Sequence, residues 1–346
     1  MMGHTPRSGI CVVVPVYNRE RAVTDMLDSL EQQSRMPDEV ILIDNNSTDN
    51  SCAVITRWAE KMNGRGWNVS IISEKQPGAS AARKTGENLI SKPYTVFFDS
   101  DDTMHPDYLE AAMRDFEADP DLKLSVWNIN FNHPDGSTEQ RRLMPAHPLE
   151  NHLVQGLLST QAYAVRTDYL RGVGGWNPTL GGWDDWELGL RLLLGGGKFR
   201  ITDSPRAEIT VQEDSISGLS YLHRKGDWEK TMDEMESVLH NYDIPDISIS
   251  PSPDSDVPDS EVKEDVMYAT RANIRFALRL LAYRRAILAA HYRHEGDKAG
   301  GRQLLREALN SPYLNIFHRM ILRGAYRLTC TGCRGAGYIF PRFLRK

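Results

Sequence analysis

The chain has 346 residues, 40% of them hydrophobic and 25% charged, with a formal net charge of −6. This is the composition of an ordinary folded protein with a real core, not of a disordered, fibrous or disulfide-stapled chain. No apolar run reaches the roughly 18 residues needed to span a bilayer.

Met1 to Gly9 lacks the apolar core of a signal peptide, and Cys11, Cys52, Cys330 and Cys333 form no disulfide framework. A reducing, cytoplasmic compartment is therefore expected. Cys330-Thr331-Gly332-Cys333 is a lone CxxC with no second pair at zinc spacing. Charge is uneven: Val266 to Lys346 holds 16 Lys and Arg against 3 Asp and Glu, or +13, and the remainder carries −19. A basic tail on an acidic body predicts contact with an anionic surface or partner; packing on the catalytic body, with the arginines solvated, is the plainer role and a membrane surface the sharper one. No nucleic-acid partner is expected.

In chain order, Ile10 to Val14 is a continuous apolar run halting at Pro15, which predicts a first buried strand. Val23, Met26, Leu27 and Leu30 recur at helical spacing. Glu39 to Ile43 is a second strand, followed by Asp44-Asn45-Asn46-Ser47-Thr48-Asp49, whose side chains suit the cap of a helix through Ala53, Ile55 and Trp58. A third strand over Asn68 to Ile72 leads into Gly78-Ala79-Ser80 and a helix from Ala81 to Ile90. A fourth, Val96-Phe97-Phe98, ends in Asp99-Ser100-Asp101-Asp102. Strict alternation implies a mostly parallel, doubly wound α/β sheet with right-handed crossovers.

Beyond Pro106 the alternation loosens. Tyr108, Leu109, Ala112 and Phe116 mark a helix, and Leu122 to Phe131 a strand. His133-Pro134-Asp135-Gly136 reads as a turn. Ser159 to Val165 is a further strand. Gly172, Gly174 and Gly175 precede Trp183-Asp184-Asp185-Trp186, which opens an apolar helix through Leu194. Ile244 to Asp259, rich in Pro, Ser and Asp, reads as a linker. The expected organisation is a catalytic domain over 1–243, a linker over 244–260 and a basic helical module over 261–346. That module has helices around Ile274 to Arg285, Lys298 to Leu309 and Ile316 to Leu328.

Three carboxylates within four residues at a strand end repel one another unless a cation or a donor cluster sits among them. A divalent-metal site and an acidic turn capping the next helix both satisfy that condition. The neighbours at the carboxyl edge of the sheet favour the metal. Tyr17 suits a flat base, Asp44 or Asn45 the base edge, and Arg83 a phosphate, with Pro15 and Asn18 beside them. Neither G-x-G-x-x-G nor G-x-x-x-x-G-K-[ST] occurs at a strand-to-helix turn, which argues against dehydrogenases and P-loop enzymes.

Val13-Val14-Pro15-Val16-Tyr17-Asn18, Ile43 to Asp49, Gly78 to Arg83, Asp99-Ser100-Asp101-Asp102 and Trp183-Asp184-Asp185-Trp186 stand in the order and approximate spacing of a family 2 glycosyltransferase of the GT-A fold, which the first roughly 220 residues resemble. The resemblance implies a single-displacement, inverting transfer from a nucleotide sugar, most simply a UDP-sugar, to a hydroxyl of a glycan or lipid-linked acceptor. It further implies that Pro15 and Tyr17 line the base pocket and that Asp44 or Asn45 contacts base or ribose. Asp101 then contacts the sugar nucleotide, Asp102 ligates Mn2+ or Mg2+, and Asp185, beside Asp184, is the general base. Trp183 and Trp186 are expected to stack on the acceptor. Asn45, Lys84 and Gln212 depart from the common pattern of a second Asp, an Asn and a His. A nucleotidyltransferase and a catalytically degenerate nucleotide-sugar-binding scaffold are the alternatives.

Overall fold

The structure, a computed structural model, describes residues 9–142, 148–211, 220–242, 271–332 and 340–344. Strand β1 (Ile10–Val16) is buried at every position, as a central strand covered on both faces requires. Helix α1 (Ala22–Glu31) buries Val23, Met26, Leu27 and Leu30 on one face. Then β2 (Glu39–Asp44), α2 (Ser51–Asn63), β3 (Val69–Ser73), α3 (Ala79–Leu89) and β4 (Tyr94–Phe97) continue the alternation. These four strands lie parallel in the order β3-β2-β1-β4, which is the doubly wound half that the sequence predicts.

Strand β1 does not halt at Pro15 but runs through Val16, with Pro15 paired to Ile43. Its other neighbour, β4, pairs only as far as Val13 opposite Phe97. The missing N–H thus falls where no strand remains on that side to be bonded.

The second half is mixed, whereas β1 to β4 are parallel throughout. Strand β5 (Thr103–Met104) and helix α4 (Tyr108–Ala118) are followed by β6 (Leu122–Asn132) and β7 (Thr138–Arg141). Helix α5 (Pro148–Gln155), β8 (Tyr163–Arg166), α6 (Thr167–Gly172), α7 (Asp184–Leu194) and β9 (Lys198–Thr210) complete the body. One sheet runs β3-β2-β1-β4-β8-β6-β9-β5, with β7 paired to β6. Strand β8 is antiparallel to both neighbours, while β6 and β9 pair in parallel with register shifts around Asn128.

Helix α8 (Asp227–Asn241) precedes the C-terminal helices α9 (Arg271–His294), α10 (Lys298–Leu309) and α11 (Ile316–Cys330). Helix α9 packs on α5 and α8 as well as on α10 and α11, and its Leu280, Tyr283 and Ile287 belong to the same apolar core as β1. The expected linker and the Gln212 and Cys333 positions lie outside the described residues. Among those described, no helix is long and apolar enough to cross a membrane.

Candidate active site

Four segments meet beyond the carboxyl ends of β1, β2 and β4, where an open α/β sheet leaves its ligand crevice. Tyr17 follows β1 with 55% of its surface exposed, so its ring face is open to a ligand. Asn18 adopts a left-handed backbone (φ 49°). Its Oδ1 accepts from the Thr48 amide at 2.7 Å, and its own N–H donates to Ser47 Oγ at 3.1 Å. It therefore ties the β1 edge to the β2 edge. Asp44 ends β2, buried, with Oδ1 accepting no hydrogen bond among the described residues. A buried acceptor left open is costly unless a ligand donor meets it.

Asn45 behaves differently from expectation. Its amide donates to the Glu74 and Gln76 carbonyls at 2.9 and 2.7 Å, and its oxygen accepts from Gly78 N at 2.8 Å. The side chain is spent holding the loop before α3, leaving Asp44 as the open edge of this pair.

Arg83 is also placed differently. It is 6% exposed, and its two terminal nitrogens meet Asp184 Oδ2 at 2.6 Å and Asp99 Oδ1 at 2.5 Å, with the guanidinium over the Trp176 ring. Two carboxylates hold it firmly charged. Arg83 therefore bridges the β4 turn to the start of α7 and does not offer a free cation to phosphate. Lys84, the departure beside it, pairs with buried Glu87 at 2.7 Å.

In the acidic turn the three carboxylates are met differently. Asp99 takes Arg83. Asp101 Oδ2 accepts from Arg19 Nε at 3.1 Å, an arginine that the sequence reading passed over although it directly follows Tyr17-Asn18. Asp102, buried, receives neutral donors: the Thr210 amide at 3.1 Å and the Gln161 amide, which also donates to Asp99 at 2.8 Å. Gln161 carried no signal in the sequence, because chain folding alone brings it here from the turn before β8. Burial and the facing acids raise the Asp101 carboxyl, and raise that of Asp102 well above its ordinary range. Among the described residues no cation meets Asp102, so its ionised form is uncompensated unless a ligand brings positive charge. Hard carboxylate oxygens with unbalanced charge fit Mg2+ or Mn2+. Among the described residues no group of three His, Cys, Asp or Glu side chains gathers to hold a metal. The chain would supply one or two oxygens, and ligand phosphate and water the rest.

Asp184 and Asp185 occupy the first turn of α7, and Asp185 Oδ1 accepts from Trp186 N at 2.8 Å. Burial, chiefly, and then the adjoining Asp184 raise the Asp185 carboxyl to about 7, against the opposing pull of Arg83. The turn presenting the pair is strained. Trp183 has φ 53°, a left-handed conformation that costs a bulky residue energy. It is held by Thr231 Oγ1 donating to the Gly182 carbonyl at 2.6 Å, and by the Trp183 ring lying 4.5 Å from that of Trp228 on α8.

Trp183 is partly open, but Trp186 is 4% exposed, with its indole N–H donating to the His152 carbonyl at 3.0 Å. Trp186 is thus a wall of the site and not the free stacking face expected. His152 in turn meets the Trp186 carbonyl at 2.8 Å, and burial lowers its imidazole to about 4, so it is neutral and pins α5 to α7.

The profile described as Glycosyl transferase family 2 matches residues 11–166, which contain the edges of β1, β2 and β4 described above. The glycosyltransferase GlyA of Streptococcus pneumoniae is 35% identical over 131 residues, or 37% of this chain and 18% of GlyA. The amylovoran biosynthesis glycosyltransferase AmsB of Erwinia amylovora is 28% identical over 144 residues, 41% of this chain and 47% of AmsB. The matched stretch thus takes in less than half of either relative. Residues 1–349 of S. aureus TarS superpose with a TM-score of 0.65 at 15% identity, covering 97% of this chain and 90% of that one. The same fragment solved with UDP-GlcNAc gives 0.66. The fold is therefore that of the glycosyltransferase sheet with its helical C-terminal region, and residues 11–166 carry the match to glycosyl transferase family 2.

Proposed function

We propose that this chain is an inverting glycosyltransferase that moves a sugar from a nucleoside diphosphate sugar, a UDP-sugar in the simplest case, to a hydroxyl of a glycan or lipid-linked acceptor in cell-surface polysaccharide synthesis. The observation that carries the reading is Asp185. A carboxylate raised to about 7 by burial and by Asp184 is matched to removing a proton near neutral pH.

The base rests against Tyr17, with the open Asp44 oxygen accepting a donor from base or ribose. Asp101 and Asp102 would hold a divalent ion, which would supply neutralisation of the charge growing on the leaving nucleoside diphosphate. Asp185 accepts the proton of the acceptor hydroxyl as that oxygen attacks the anomeric carbon from the opposite face. Asp184 is held by Arg83, so the base sits on a rigid element. Two separate carboxylate clusters, one for the leaving group and one for the nucleophile, suit a single displacement without a covalent enzyme intermediate.

Peripheral attachment to the cytoplasmic face of an anionic membrane accords with the tail. Two of the α9 arginines are already engaged: Arg279 donates to the Tyr313 and Leu344 carbonyls, and Arg285 pairs with Asp233 and Glu236. Helix α11 supplies a better face. Ile316 and Met320 are 70% and 63% exposed, Phe317 and Leu328 are also open, and Arg319, Arg323 and Arg327 flank them with no acid in the helix. Apolar side chains bordered by arginines suit an interfacial helix.

A panel of nucleotide sugars with Mn2+, scored by hydrolysis and by thermal stabilisation, tests the activity. Failure of every donor to bind or turn over would overturn it.

A further inference from the structure

Arg284 stands apart from Arg279 and Arg285 of α9. Its guanidinium carbon lies 5.9 Å from the Trp183 ring centre and 5.7 Å from that of Trp186, on either side of Asp184-Asp185 in sequence. Among the described residues it forms no ion pair, and its buried Nε donates no hydrogen bond. The site acids do not neutralise it: Asp184 and Asp99 are taken by Arg83, Asp101 by Arg19, and the opposing charge felt by Asp185 is that of Arg83. The other ring nearby is His291, stacked on Tyr221, and burial lowers its imidazole to about 4, so it adds no charge. A guanidinium laid against two indoles with a sheltered, unused N–H is a fixed fork awaiting an oxyanion.

We infer that Arg284 anchors an anionic group of the acceptor, a phosphate or a carboxylate, so that the sugar is transferred to an acidic glycan. This rests on the proposed transfer reaction. The aromatic wall of Trp183 and Trp228 lies beside the proposed base, on the acceptor side. Aromatic surroundings exclude water there and strengthen a charge-assisted bond. The basic contact comes from α9, which lies outside residues 11–166, the stretch matched by the family. Donor handling and acceptor selection are thereby placed on different parts of the chain.

The test uses the full chain with saturating UDP and Mn2+, which fill the phosphate-binding part of the donor site. Thermal shift and tryptophan fluorescence are followed during titration with glycerol 3-phosphate, glucuronate, glycerol or glucose at matched ionic strength. The expected result is a saturable response to one anion and none to its neutral counterpart. A response to glycerol 3-phosphate assigns a phosphate-bearing acceptor, and one to glucuronate a uronic acid. Arg284→Gln is expected to weaken that response at least tenfold, and Arg284→Lys to restore part of it. The UDP shift of each variant reports its folding. If Arg284→Gln does not fold, the Lys variant carries the test, with an affinity below wild type expected. No response to either anion, or equal responses in wild type and variants, would overturn the inference. Absence of any UDP shift in wild type would instead sink the transferase reading, and the anion titrations without UDP still report on Arg284.

Discussion

Arg83 meets Asp184 at 2.6 Å, and through that contact an α3 side chain positions the start of α7, roughly a hundred residues further along the chain. The same guanidinium holds Asp99 at the end of β4. The two acidic motifs therefore share one cation, and the geometry between proposed leaving-group site and proposed base is set by a single side chain.

Removing that cation should be costly. Breaking a buried ion pair by deleting one partner typically destabilises by about 3–5 kcal/mol. Arg83→Met is expected to lose stability of this order in urea unfolding. Arg83→Lys should recover only part, because a point charge cannot bridge two carboxylates as a fork does. A Lys variant as stable as wild type would refute the bridging role.

Asp185→Asn should lower transfer about 10²- to 10⁴-fold while retaining UDP binding. In the wild type, the acid limb of the rate profile should fall through about pH 7, since the carboxylate must be ionised to accept a proton. Stability has the opposite sign. The folded-state carboxyl is raised above its unfolded value, so its contribution is fully present below that unfolded value and is lost as pH rises through about 7. Asp185→Asn should therefore raise the melting temperature more at pH 8 than at pH 5. A melting-temperature difference independent of pH would remove the assignment.

Asp102→Ala should abolish the Mn2+-dependent part of UDP stabilisation, seen as loss of the metal-induced thermal shift. The donor set makes this specific, because Asp101 already shares its charge with Arg19 and Asp102 receives only neutral donors. An undiminished Mn2+ effect would move the metal elsewhere.

Gly182→Ala tests the turn under Trp183. An added Cβ would lie 2.5 Å from the Trp228 ring, so the ring must shift. A stability loss of about 1–3 kcal/mol is expected, with kcat falling more than UDP affinity because the base moves and the nucleotide edge does not. Equal losses in both would mean that the turn serves only the fold.

Vesicle flotation addresses α11. Ile316→Ser with Met320→Ser should cut binding to anionic vesicles at least tenfold, since each buried large apolar side chain is worth about 1.5–3 kcal/mol. Unchanged flotation would discard this face as the membrane contact.

Much of the fold was legible because the first half is built from strands buried on both faces and helices with single apolar stripes. Ile10 to Val14, Glu39 to Ile43 and Lys298 to Leu309 advertise their structure in residue type alone. Strand β9 did not, since Asp203 and Pro205 interrupt it where its pairing with β6 shifts register. Helix α8 was passed over although Trp228, Met232, Met235 and Leu239 recur at helical spacing among its acids and are buried. At the site, acids at strand ends could be read off, but their partners could not. Arg19 stood next to a motif and was overlooked, whereas Gln161 and Arg284 become neighbours of the acids and tryptophans only through tertiary packing. Asn45, Arg83 and Trp186 have internal partners that the sequence did not show for the same reason: a side chain's type predicts what it can bond, and burial decides what it does bond.

The left-handed Trp183 has a consequence for how such a protein could be made more heat-resistant. Glycine at that position would relax the backbone, a change of the kind that stabilises many folds. Here it would also delete the ring that meets Trp186, Trp228 and Arg284. Selection for heat tolerance and selection for turnover would therefore pull residue 183 in opposite directions, and thermostable variants that keep their rate should carry their gains elsewhere.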